Sequence, residues 1–347
     1  MEKVNCKTLF AVALLAVAVT DAHATSWRIN NDVTKHAHFT DINAAMASED
    51  VVAGDTLYLD PGCALGSEQT ITKQVTIVGT GYFRTGAPHV SAVLAGRLNI
   101  NAADTKLTGV ILNGGSNYIN ATNVTMERCN INGSYLYVNS TNATIRQCFV
   151  CAQIRGKGES SNASMGCVIE NNIIETNTIY GCICQFYIAT IRNNYIRTNY
   201  SSGTSQAYNH TIYEVDYSQI NNNIISAVKN KNWVINSVDN CTLSQNLLSC
   251  DEGTYSAYPD NVCLGTNDMS SVICNTGSND EKYQLAEESP AKGAANDGGD
   301  CGPFDGGYPY VLSGLPLAFP YYTQANVGSV ARDGKVNVSF QIKMQNE

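Results

Sequence analysis

The chain has 347 residues, 44% of them hydrophobic and only 15% charged, which supplies a core but excludes disorder, coiled coils and charge-laced helices. Twenty-one lysines and arginines stand against 30 acids, a net charge of -9 and the reverse of what nucleic-acid binding requires. No nucleic-acid partner is therefore expected.

Lys3 and Lys7 precede an apolar run from Leu9 to Val19 that ends at Ala22-His23-Ala24. This is the charged, apolar and small-residue order of a cleavable export signal, too short for a spanning helix. Residues 1–24 are thus expected to be a signal peptide, and the mature chain a secreted or cell-surface monomer without a transmembrane segment. Export permits disulfides, and 12 of the 13 cysteines follow the signal.

Thr40 is placed to cap a short helix carrying Ile42, Ala45 and Met46 at helical spacing. Gly54-Asp55 turns into an alternating strand, Leu57-Tyr58-Leu59, which Asp60-Pro61-Gly62 ends. Residues 25–62 read as an N-terminal cap and first coil.

The middle of the chain repeats. Windows of six start at Leu107, Met126, Ile145, Ile169, Ile191, Ile220 and Leu243, at spacings of 19, 19, 24, 22, 29 and 23 residues. Such units are too short for a strand–helix–strand crossover. They fit successive turns of a parallel β-solenoid, whose strands stack about 4.8 Å apart. The first window positions form an apolar inward column. Two residues earlier stand the small residues Thr105, Val124, Ala143, Cys167, Ala189, Ser218 and Cys241, which alternation places on the same inward face. The fourth position is Val110, Cys129, Cys148, Asn172, Asn194, Asn223 and Asn246, and the four asparagines predict a side-chain amide ladder at a tight bend. Proline cannot donate to a strand ladder, and none of the eight falls between residues 89 and 258. The body is assigned to 63–277.

Residues 251–305 hold eleven acids and two lysines, a possible home for calcium although without the regular aspartate spacing of a dedicated loop. Val336, Val338, Phe340, Ile342 and Met344 alternate as a terminal strand expected to pair with the last coil or the flank of the tube. Residues 278–347 read as a loop-rich C-terminal cap.

The GDTLYLDPG segment at 54–62, the INNNII-type rungs and the tail from Ser289-Pro290-Ala291-Lys292-Gly293-Ala294 through Asp300-Cys301-Gly302-Pro303-Phe304 to Ser313-Gly314 resemble secreted bacterial right-handed parallel β-helix proteins of the pectin-lyase-like superfamily. The resemblance covers nearly the whole mature chain. It implies an all-β, single-stranded right-handed parallel β-helix with a polysaccharide or cell-surface glycan as partner. It does not choose an activity, because the superfamily spans lyases, hydrolases, esterases and adhesins. Of the motifs associated with polygalacturonases, only Gly265-Thr266-Asn267-Asp268 offers a loose echo.

Two functional readings follow: a non-catalytic glycan-binding or scaffold protein, and a polysaccharide lyase or glycoside hydrolase acting on an acidic polysaccharide. The longest interval, before Ile220, is expected to project a loop carrying His210, Tyr213, Glu214 and Asp216, with the two acids on one side as an acid pair or cation site. Arg155 and Lys157 form a second loop candidate for contacting an acidic glycan. Glu127, Arg146, Glu170 and Arg192 alternate in sign at the outward second window position and read as a charge ladder of exposed pairs worth at most about 1 kcal/mol each. Cys129 and Cys148, stacked on adjacent coils, are candidates for a disulfide, while Cys148-Phe149-Val150-Cys151 lacks the partner pair of a zinc site.

Overall fold

A computed structural model describes residues 24–83, 90–158, 164–178, 181–200, 210–228, 234–266, 268–277, 279–315, 321–327, 335–336 and 338–343. The expected signal peptide up to residue 23, like residues 84–89 and Met344, lies outside the described residues. Among those described, no helix is long and apolar enough to cross a membrane.

The chain winds as a parallel β-helix with three sheets of ten, ten and eight strands. Between the two ends each coil gives one short strand to each sheet: sheet A carries the first window positions, sheet B the fifth and sixth, and sheet C the third side. The register in sheet A runs Leu107, Met126, Ile145, Ile169, Ile191, Ile220, Leu243, the expected column. It continues upstream through Ile77, Leu57 and Trp27, so the helix begins three coils before the sequence repeat becomes visible. Sheet A alternates as its sequence demands. Leu107, Met126, Ile145, Ile169, Ile191 and Ile220 are buried, while Lys106, Thr125, Thr144, Thr190, Gln219 and Thr242 between the inward rows are half-buried or exposed.

The bend between sheets A and B falls at the third window position. Gly109, Arg128, Gln147, Asn171, Asn193, Asn222 and Gln245 all adopt positive φ, between 50° and 68°, a left-handed conformation that glycine and asparagine accept most readily. The fourth position then points inward, and the asparagine ladder forms there. Asn172 donates its backbone N–H and Nδ2 to Asn194 Oδ1 at 2.9 and 3.0 Å; Asn194 does the same to Asn223, and Asn223 to Asn246. The ladder is one rung longer than expected: Asn246 donates to Asn261 Oδ1 at 2.8 Å. Between sheets B and C, Gly96 and Gly114 let coils stack without gaps, since a Cβ on Gly114 would sit 2.2 Å from Gly96 O.

At the N-terminal end the helix Ile42–Ala47 buries Ile42, Ala45 and Met46 as expected, but its cap is Asp41, which accepts from Ala44 N at 2.7 Å, rather than Thr40. At the other end Tyr255 plugs the core, its hydroxyl donating to Ile235 O and accepting from Ile235 N, both at 2.8 Å.

The acidic tail does not simply cap the tube. From Met269 to Leu315 it runs back along the outside of sheet B as a strap. Cys301 reaches Gln245 O, Gly302 N bonds Asn222 O, Asn171 Nδ2 bonds Pro303 O, Gln147 Nε2 bonds Pro309 O, and Tyr82 N bonds Ser313 O. Beneath the strap the fifth window positions Phe149, Ile173, Tyr195, Ile224 and Leu247, outward yet apolar, pack against Met269, Val272, Ile273, Tyr283, Ala291, Cys301 and Tyr310 in a second core. Tyr82 OH, Tyr310 OH and Asp280 form a buried chain at 2.9 and 3.0 Å that ties strap to tube. Burial holds the Asp280 carboxyl above its usual range despite these bonds. The terminal strand also departs from expectation: Val338–Lys343 pairs antiparallel with Tyr321–Val327 in a separate two-stranded sheet.

The charge row on sheet A is not a ladder of exposed pairs. Glu127 and Glu170 are each only 3% exposed. Glu127 gathers Lys106, Arg128 and Arg146 at 2.8, 2.5 and 2.9 Å, and Arg192 pairs with Glu170 at 2.7 Å. Among the described residues no ion pair bridges Arg146 to Glu170. Glu127 is enclosed by its three cations, and Tyr308 of the strap lies over the guanidinium of one of them, Arg146, at 3.9 Å.

Candidate functional site

The residues singled out from sequence lie on the outer side of sheet C. Ile212–Asp216 is a strand paired with Ile183–Tyr187, so Tyr213, Glu214 and Asp216 sit on a rung rather than on a projecting loop. Gln185 and Glu214 both take positive φ, 62° and 51°. They occupy the same place in the two strands, between the pairs Cys184–Tyr213 and Phe186–Val215, and this matched left-handed kink turns two successive residues outward. Alternation is thereby broken: Tyr213, Glu214 and Asp216 are half-buried while Val215 is inside. The acids have different partners. Glu214 Oε2 accepts from Gln185 Nε2 at 2.9 Å, and Asp216 Oδ1 accepts from Asp239 N at 2.9 Å.

Arg155, by contrast, is brought toward Glu214. Its Nε donates to Gln185 Oε1 at 2.8 Å, so one glutamine links Arg155 and Glu214 across neighbouring rungs. His210 is buried, stacks on Tyr213 at 5.6 Å and meets Asn236 Nδ2 at 2.9 Å. Lys157 is exposed, its backbone N–H bonded to Ser164 Oγ. Further along the same face Tyr118, Tyr137 and Tyr135 stack at 5.0 and 5.2 Å with Arg97 over Tyr118. These rings cover one another's faces, so the row reads first as a cross-strand ladder.

A cavity lies elsewhere, between sheet B and the start of the strap. It has a volume of about 370 Å³, toward the small end of ligand pockets, and is lined by Glu175, Tyr195, Arg197, Asp268, Lys282 and Tyr283 with Asn199, Met269, Ile273 and Asn275. Glu175 and Arg197 are paired positions on adjacent coils. They nevertheless form no ion pair, because Glu175 Oε2 instead accepts from Tyr283 OH at 2.6 Å. Arg197 Nε turns to Asn199 Oδ1 at 3.0 Å. Lys282 rests over the Tyr283 ring at 4.8 Å. Among the described residues neither Arg197 nor Lys282 has a carboxylate partner within ion-pair distance, although this stretch of chain is strongly acidic.

Burial, then the neighbouring Glu175 charge, pushes the Tyr283 phenol far above its ordinary range, so it keeps its proton and donates a hydrogen bond to Glu175. Asp268, on the outer wall, is lowered by its bonds to Ser270 N and Oγ, both at 2.9 Å. The Cys151 thiol, near Glu175 and Lys282, is pushed up to about 11, mainly by burial, and is a poor nucleophile. The arrangement is thus a small polar recess with two available cations, a fixed phenol donor and an aromatic floor.

Sequence reasoning did not single out Glu175, Arg197 or Lys282. Glu175 and Arg197 occupy the seventh position of their windows, the next outward step beyond the sixth, and following the alternation one residue further would have found them. Lys282 and Tyr283 arrive from the strap, for which no local pattern exists.

Among the described residues no three or more of His, Cys, Asp and Glu converge as for a metal ion. The acids of the 251–305 segment are spread among turns: Asp300 accepts from Gly293 N, Asp305 from Asp300 N, and Asp280 from Ser313 N. No protein-family model matches the chain, and no curated protein matches it.

Proposed function

We propose that this protein is an exported, non-catalytic glycan-binding β-helix of the pectin-lyase-like kind, and that the cleft between sheet B and the strap receives an acidic sugar. The observation that carries the reading is the pair of cations, Arg197 and Lys282, without carboxylate partners among the described residues and facing a recess of saccharide size. Binding rather than turnover is favoured because the cleft's phenol is held protonated and Glu175 is already engaged by it. Hydroxyls and ring faces of a sugar would meet Asn199, Asn275 and Tyr195.

Calorimetric titration of the purified chain with uronate-bearing, sulfated and neutral oligosaccharides tests this. Saturable binding of an acidic member is expected, with no new reducing or unsaturated ends. Arg197→Ala and Lys282→Ala should each weaken it about tenfold or more, the worth of one charge-assisted hydrogen bond. Product formation would replace the reading with that of a lyase or hydrolase, and variants binding as tightly as the parent would remove the cleft from it. Loss of binding in Glu214→Ala or Arg155→Ala, with the cleft variants unaffected, would move the site to sheet C.

A further inference from the structure

The twelve cysteines among the described residues all carry free thiols. Cys129 and Cys148, aligned on adjacent coils, point their thiols at backbone carbonyls, Cys129 to Glu127 O at 3.3 Å and Cys148 to Arg146 O at 3.1 Å. Cys250 and Cys263 are arranged differently. The last parallel rung pairs Leu247 with Val262 and Leu248 with Cys263. Just beyond Leu248 the chain turns tightly, Cys250 N bonding Leu248 O at 2.9 Å, while Gly265 N bonds Cys250 O at 2.8 Å. These bonds fold Cys250 back toward the neighbouring rung, and its Sγ meets Cys263 Sγ at 2.7 Å.

Between the two cysteines runs the 251–262 segment with Tyr255, whose ring joins the core and whose hydroxyl satisfies both backbone groups of Ile235. The segment is largely turn, and outside the Val262 rung its backbone bonds are mostly local, such as Thr254 N to Asp251 O and Tyr258 N to Tyr255 O. It covers the end of the tube, where a bare strand edge and an open core would otherwise meet water.

We propose that Cys250 and Cys263 are a modification site, oxidised to a disulfide that closes the 251–262 segment over the C-terminal end of the β-helix. Both S–H bonds break and one S–S bond forms; the two electrons and two protons reduce the disulfide of a small-molecule or protein oxidant to two thiols. The buried Cys250 thiol lies well above its ordinary range, first through burial and then through Cys263. The half-buried Cys263 is accordingly the sulfur at which exchange starts, and Cys250 the one that resolves the mixed disulfide.

The full chain is equilibrated with oxidised and reduced glutathione, quenched in acid, alkylated under denaturing conditions and mapped by peptide mass spectrometry. The expected result is a Cys250–Cys263 cross-linked peptide, absent after reduction, and a several-fold faster protease cleavage within 251–262 in the reduced chain. Cys263→Ser should cleave at the rate of the reduced parent and ignore reductant. Alkylation of both cysteines in the oxidised, folded parent, or joining of either to another cysteine, overturns the proposal. The peptide map stands on the parent alone, so it decides the matter whether or not the serine variant folds.

Discussion

Asn223→Ala is expected to lower stability by about 3–5 kcal/mol, measured by urea unfolding, although it removes only a small polar side chain. The Asn223 amide is fully buried and works in both directions along the tube. Its Oδ1 accepts from Asn194 N and Nδ2, each at 2.9 Å, and its Nδ2 donates to Ile191 O, Asn221 O and Asn246 Oδ1, all at 2.9 Å. Truncation strands several buried donors and acceptors where no water reaches, each at about 1–3 kcal/mol. Asn120 offers the matched comparison. It makes the same inter-coil amide contacts, with Asn101 at 2.9 Å and Asn139 at 2.8 Å, but on the exposed surface. Asn120→Ala should therefore cost only about 0.5 kcal/mol. Equal costs at the two sites would mean that the inward ladder is no more buried than the outward one.

The second large effect is at Glu127. One carboxylate with little exposure satisfies Lys106, Arg128 and Arg146. Glu127→Gln leaves three neighbouring cations without their shared counter-charge, at a cost of about 3–5 kcal/mol near neutral pH. The same site sets an acid limb. Burial alone would raise the carboxyl, but the bonds from Lys106 and Arg146 and the charge of Arg128 outweigh it and bring it from 4.5 to about 2. Between those values the unfolded chain binds more protons than the folded one, so stability falls as pH falls. The contribution is complete above the unfolded value and is lost as pH drops through about 2, a difference on the order of 3 kcal/mol. Urea melts from pH 5 to pH 2 should show a shallower decline in Glu127→Gln than in the parent; parallel declines would contradict the assignment.

Glu127 also shows where the sequence stopped being informative. Its outward position is correct by alternation, yet an outward residue is exposed only if nothing lies over it. Its three cations enclose Glu127, and over one of them, Arg146, lies Tyr308, far along the chain. Rungs could be read because stacking one coil on the next is a nearest-neighbour problem: apolar columns and asparagine registers repeat at intervals the eye can align, and Ile169, Ile191 and Ile220 fall in one register as expected. The Leu57 strand was legible, but its register with the later rungs was not, because Leu57 and Ile77 are separated from the clear repeats by irregular turns. The strap could not be read from spacing, since it meets successive coils through unlike bonds, such as Gln147 to Pro309 and Asn222 to Asn296. One trace was present: Phe149, Ile173, Tyr195, Ile224 and Leu247 form an outward row too apolar for water. At the site, alternation puts Glu214 and Asp216 on one side, and both do stand outside Val215; what spacing does not carry is the left-handed Glu214, which turns Tyr213 outward as well, and the separate partners Gln185 and Asp239 that the two acids take.

Everything proposed for the cleft depends on coils of unequal length stacking at equal pitch, so that Glu175 and Arg197 become neighbours. Pulsed electron paramagnetic resonance tests this most directly, with a nitroxide on a genetically encoded side chain at outward Thr125 and a second at Val168, Thr190 or Gln219. These positions lie two, three and four coils further along sheet A. The account predicts narrow distributions whose centres advance by about 4.8 Å per coil, regardless of the residues between. Distances that scale with sequence separation instead, or broad distributions without that constant step, would contradict it.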